Sequence, residues 1–112
     1  MTELATYTNC VKREETLLFM AGPLEVAQHI IQKFCDEVGW CISVDQTGYI
    51  YTGGFENGFV IRAINYPRFP NTDNYDRMRS LAELLQVELK QDSYTIHHGD
   101  QAFYFSNSAK DA

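Results

Sequence analysis

The chain reads as an α+β protein: a two-layer α/β sandwich, ferredoxin-like, with two helices on one face of a mixed sheet. Three observations predict it. Two segments, 24–38 and 71–91, repeat apolar residues at steps of three and four, as one face of a helix does. Short apolar or alternating runs surround them and end at glycine or proline turns. The resulting order, β-α-β-β-β-α-β-β, places a strand before and after each helix, so two crossovers can cover a common face.

Taken in order, "TLLFMAG" (16–22) is an apolar run stopped by Gly22-Pro23 and reads as a buried strand. Pro23 suits a first helical turn. Ala27, Ile30, Ile31, Phe34, Cys35 and Val38 then mark one helical face, and Gly39 is a good residue just past a helix end. Burying that face contributes roughly 2 kcal/mol per large side chain, much of it offset by chain entropy. "WCISV" (40–44), "YIYT" (49–52) and "FVIRAIN" (59–65) read as three strands of a meander. "DQTG" (45–48) and "GGFENG" (53–58) read as the turns between them, with glycines admitting positive φ. After "NYPRFP" (65–70), Asn71 or Thr72 can cap a second helix whose apolar face holds Met78, Leu81, Ala82, Leu85 and Leu89. "SYTIH" (93–97) and "AFYFS" (102–106) form a closing hairpin.

The length of 112 residues fits one domain, 16–106, preceded by a flexible or added segment, 1–15, and followed by a disordered tail, 107–112. A net charge of −6 with carboxylates scattered along the chain argues against binding a phosphate backbone, so nucleic acid is not an expected partner. No signal-peptide pattern or membrane-length apolar run occurs, and three cysteines without a CxxC suit a reducing compartment; a cytoplasmic protein is expected.

Motifs for chemistry are absent. His97 and His98 are adjacent on a strand and point to opposite faces, and no cysteine spacing matches a zinc site. No GxSxG occurs, and the glycines of "YTGGFENG" are not followed by GK[ST]. The expectation is therefore no cofactor, no metal and no enzyme; a site assembled from distant residues such as Asp45, Tyr51 and His97 is the remaining route to catalysis.

Two places invite contact. Tyr66, Arg68 and Phe69, held by Pro67 and Pro70, are residue types enriched at binding hot spots, at a strand end where ligands tend to bind in α/β sheets. The competing account is a rigid connector whose rings plug the core. Tyr49 and Tyr51, with the aromatics of the final hairpin, must place some rings on the helix-free face, where an apolar patch usually means a partner.

The segments "TLLFMAG", "FCDEVGWCISV", "YIYTGG" and "INYPRFP", in this order, resemble small uncharacterised proteins encoded in bacteriophages and prophages. The resemblance implies a phage context and brings no catalytic residues with it. Together these readings predict a non-catalytic interaction module, a phage-encoded inhibitor of a host defence protein acting in the host cytoplasm. It would bind through Tyr49, Tyr51, Tyr66, Arg68 and Phe69, and could pair as a homodimer across the open sheet face. The alternative is a dimeric small-molecule-binding or sequestering protein, with Arg62 and Arg68 meeting an anionic ligand.

Overall fold

The computed structural model of the protein describes residues 4–68 and 73–108. Its elements are β1 (Glu15–Ala21), α1 (Leu24–Val38), β2 (Ser43–Tyr51), β3 (Gly54–Ile64), α2 (Asn74–Glu88), β4 (Ser93–His98) and β5 (Gln101–Ser106). The five strands form one sheet in the order β2-β3-β1-β4-β5, and every neighbouring pair is antiparallel. The fold is α+β.

The expected β-α-β-β-β-α-β-β order and mixed sheet need correction. There are two strands between the helices, not three, because the supposed turns at 45–48 and 54–58 are strand. Only Thr52 and Gly53 turn the chain, with Gly53 at φ 84°. The glycines that suggested turns are slots for rings on the facing strand. A Cβ at Gly48 would lie 2.7 Å from the Phe55 ring, one at Gly54 would overlap the Tyr51 ring, and one at Gly58 would overlap the Tyr49 ring and sit 2.5 Å from the Met20 carbonyl oxygen. Each crossover also skips a strand: α1 joins β1 to β2 with β3 between them, and α2 joins β3 to β4 with β1 between them. The joined strands run parallel without touching.

Alternation sorts the sheet into two faces. Leu18 and Met20 of β1, Phe59, Ile61 and Ala63 of β3, and Tyr94 and Ile96 of β4 are buried in one cluster. The same cluster holds Ala27 and Ile31 of α1 and Met78, Leu81, Ala82 and Leu85 of α2, so both helices cover the same face. The helix α1 is less deeply seated: Ile30, Phe34 and Cys35 are only partly buried and Val38 is exposed. Polar links hold the helix ends. The Trp40 indole N–H donates to Asn74 Oδ1 at 2.9 Å, and Arg77 Nη1 donates to the Gly39 carbonyl at 3.3 Å. Asp73, not Asn71 or Thr72, occupies the N-cap of α2 with no side-chain cap bond; Asn71 and Thr72 lie outside the described residues.

Before β1, residues 4–14 have no regular secondary structure but run beside the end of β3. Asn65 donates its backbone N–H to Glu14 O at 3.1 Å and its side-chain amide to Lys12 O at 3.0 Å. Thr16, fully buried, pairs with His98 Nδ1 at 2.7 Å, tying β1 to β4. At the other end, β1–β3 pairing stops at Ala21↔Gly58 while β2–β3 pairing continues to Tyr51↔Gly54. The hairpin therefore projects past the sheet, and the molecule measures 60 × 31 × 26 Å. Among the described residues no helix is long and apolar enough to cross a membrane.

Candidate functional site

The helix-free face is built by the opposite alternation. The register places Phe19 between Val60 of β3 and Thr95 of β4, then Tyr104 of β5 beyond Thr95. On the projecting hairpin, Tyr49 stands opposite Glu56 and Tyr51 opposite Gly54. These side chains share one face, and Phe19, Ala21, Tyr49, Glu56, Ser93 and Thr95 line a shallow hollow of 210 Å³.

Tyr49 is fixed by its glycine neighbour. Its ring crosses Gly58, and its hydroxyl donates to the Phe59 carbonyl at 2.8 Å. Burial pushes its phenol above the usual tyrosine range, and a backbone hydrogen bond at Met20 opposes this. The Tyr51 phenol is also pushed up, by desolvation first and then by the charge and hydrogen bond of the Glu56 carboxylate. Both phenols therefore stay protonated at neutral pH. Glu56 is exposed. A carboxylate flanked by two phenol rings can hold a cation through charge and through the ring faces. Phe19 adds an apolar wall and packs on His97 with ring centroids 4.7 Å apart.

Tyr49 and Tyr51 thus come together. The other predicted contacts lie elsewhere. Ten residue steps along β3 separate Gly54, beside Tyr51, from Ile64, about 33 Å of strand. Beyond that end, Tyr66 is half-buried against Cys41, and Arg68 is exposed beside the 6–9 segment, where Asn9 Nδ2 donates to the Pro67 carbonyl at 2.5 Å. Phe69 lies outside the described residues. Arg62 lies on the helix-free face with its guanidinium 3.6 Å from Glu15. Asp45, Tyr51 and His97 fall on β2 and β4, separated by β3 and β1.

Sequence reasoning missed Glu56, because "GGFENG" was read as a turn. The signal was present: Tyr49-x-Tyr51 followed by Gly54-x-Glu56-x-Gly58 alternates like a hairpin and puts all five on one face. Among the described residues no group of three or more His, Cys, Asp or Glu is placed to hold a metal ion.

No protein-family model matches the chain, and no curated protein matches it by sequence. Solved structures do. A phage SAM lyase in its apo state superposes with a TM-score of 0.68 at 15% identity, covering 95% of this chain and 98% of that one. A phage SAM lyase in complex with S-methyl-5′-thioadenosine superposes with a TM-score of 0.62 at 13% identity, covering 90% and 96%. At this identity the likeness is one of fold. It nevertheless overturns the expectation of a non-catalytic interaction module, its non-catalytic ligand-sequestering alternative, and the answer that the chain is no enzyme. The expectation of no enzyme rested on the absence of a familiar motif, yet both of these structures, which share nearly the whole length of this fold, are of a lyase.

Proposed function

We propose that this chain is a lyase of S-adenosylmethionine, with its site on the helix-free face at Glu56, Tyr49 and Tyr51. The observation that carries the reading is that carboxylate, in register with one protonated phenol and bonded to the other, at the rim of a hollow. The substrate is a sulfonium that also carries an ammonium group. Glu56 supplies the counter-charge, and the two rings supply faces for the cation. Non-hydrolytic C–S cleavage returns the bond's electron pair to sulfur, which leaves as the neutral thioether S-methyl-5′-thioadenosine, while the substrate's own carboxylate oxygen bonds to the carbon it vacates and closes a lactone. With a neutral thioether as leaving group and the nucleophile inside the substrate, the cleavage requires no nucleophile from the enzyme. A site for this reaction must bind, orient and exclude water, which accounts for an enzyme without a nucleophile motif.

The hollow is smaller than the roughly 300 Å³ at which small-molecule pockets begin. Tyr51 and Tyr104 remain 52% and 56% exposed on the same face. Both points support a second copy of the chain closing over this face and completing the site. The skipped-strand crossovers support a ferredoxin-like architecture extended by β5. A bacteriophage origin rests on the resemblance of the four segments named above.

Incubation of the protein with S-adenosylmethionine, followed by chromatography, is the test. S-methyl-5′-thioadenosine should accumulate, and Glu56→Gln should lower kcat/KM tenfold to a hundredfold, about 1.5–3 kcal/mol, as expected for a lost charged contact. No product from the wild type at concentrations where it self-associates would refute the reading.

A further inference from the structure

Away from that face, the chain doubles back where α1 ends. Gly39, at φ 70°, turns it, and the Cys35 carbonyl accepts both the Gly39 N–H at 2.9 Å and the Trp40 N–H at 3.2 Å. That pair of hydrogen bonds draws residue 41 back beside the last helical turn. Cys35 and Cys41 consequently line one groove between α1 and the edge strand β2, floored by Ile31, Trp40, Ile42 and Val44, with a volume of 610 Å³. Cys41 is exposed and Cys35 half-buried. The Tyr66 hydroxyl hydrogen-bonds the Cys41 sulfur, and burial, then Asp36, then Cys41 itself push the Cys35 thiol up.

We propose that Cys35 and Cys41 form a dithiol that a hydroperoxide oxidises to an intramolecular disulfide, a modification site distinct from the helix-free face. Cys41 acts first, because it is open to solvent and its sulfur is held by the Tyr66 hydrogen bond. Its thiolate attacks the peroxide oxygen; the O–O bond breaks and the departing oxygen leaves as water or alcohol. Cys35 then loses its proton and attacks the sulfenic sulfur. The S–O bond breaks, a second water leaves, and the S–S bond forms. Two thiols lose two electrons and the peroxide gains them. The bond clamps the C-terminal end of α1 to the entry of β2 and closes one end of the groove. This fixes a helix that is otherwise shallowly seated.

The test uses the full chain carrying Cys10→Ser, which removes the exposed third thiol. It is treated with hydrogen peroxide, alkylated with iodoacetamide and digested after Glu37, which lies between the two cysteines. Mass mapping should show peptides joined through Cys35 and Cys41, two hydrogens lighter than the sum of the reduced pair and separated by dithiothreitol. Tyr66→Phe should slow their formation several-fold. Cys41 carried on to sulfinic acid while Cys35 remains alkylated would overturn the proposal, as would disulfides between chains through Cys41.

Discussion

In the β4–β5 hairpin, Tyr94 and Phe105 stack with ring centroids 4.9 Å apart and planes 20° from parallel, and the Arg79 guanidinium of α2 caps Phe105 at 4.5 Å. Tyr75 of α2 packs on Phe103 at 5.1 Å. In the β2–β3 hairpin the rings lie instead over Gly48, Gly54 and Gly58, and no helix covers them: Tyr51 and Phe55 stay more than half exposed, and Ile50 is 83% exposed. Two aromatic-rich hairpins thus use their rings differently. In one, rings fill the space between sheet and helix. In the other, rings settle on glycine backbones and hold hydroxyls and a carboxylate at fixed places on an open surface. Aromatic content alone does not separate core from site; what lies across from each ring does.

The largest expected effect lies in the packed hairpin. Tyr94→Ala removes a 4%-exposed ring stacked on Phe105 and should cost about 3–5 kcal/mol, read as a fall in Tm by calorimetry. A loss no larger than that from Tyr51→Ala would erase the distinction between the hairpins. Gly58→Ala should come next, about 1–3 kcal/mol, since one of the atoms its Cβ meets is the backbone oxygen of Met20 and cannot swing aside. It should also lower product formation by displacing Tyr49, and full activity in this variant would dissociate the glycine slot from the site. Tyr51→Phe should shift stability by less than about 0.5 kcal/mol while weakening kcat/KM.

The smallest effect is in alkali. Burial raises the Tyr94 phenol above its ordinary 10.0, with Arg79 opposing and Glu83 adding. The folded state thus favours the protonated phenol. Its contribution is fully present below pH 10 and lost as pH rises through the higher folded value. Tyr94→Phe should flatten the fall in unfolding free energy above pH 10, measured by urea titration at stepped pH. An unchanged slope would place the titrating group elsewhere.

Legibility in the sequence followed the range of the interaction. The bounds of α1 and its Gly39 terminus are local, set by a 3.6-residue period and one left-handed residue, and they match the observed helix. The strands between the helices were misread because glycine has two uses. It relieves positive φ in a turn, as at Gly53, and it vacates space for a ring on the next strand, as at Gly54 and Gly58. Only the partner strand tells them apart. The same cause hid Glu56, whose neighbour Tyr49 is seven positions away in sequence but directly across the ladder.

The sequence by itself determined the two helices, the mixed α and β character, the acidic charge and the tyrosines worth watching, because periodicity, composition and residue type are written along one dimension. Tertiary structure decided the strand order β2-β3-β1-β4-β5, the antiparallel sense of every pair and the projection of one hairpin past the end of β1. It also separated Tyr66 and Arg68 from Tyr49 and Tyr51 by the length of β3. Those are outcomes of pairing between distant segments, where the energy of a side chain depends on a neighbour that the local sequence does not name.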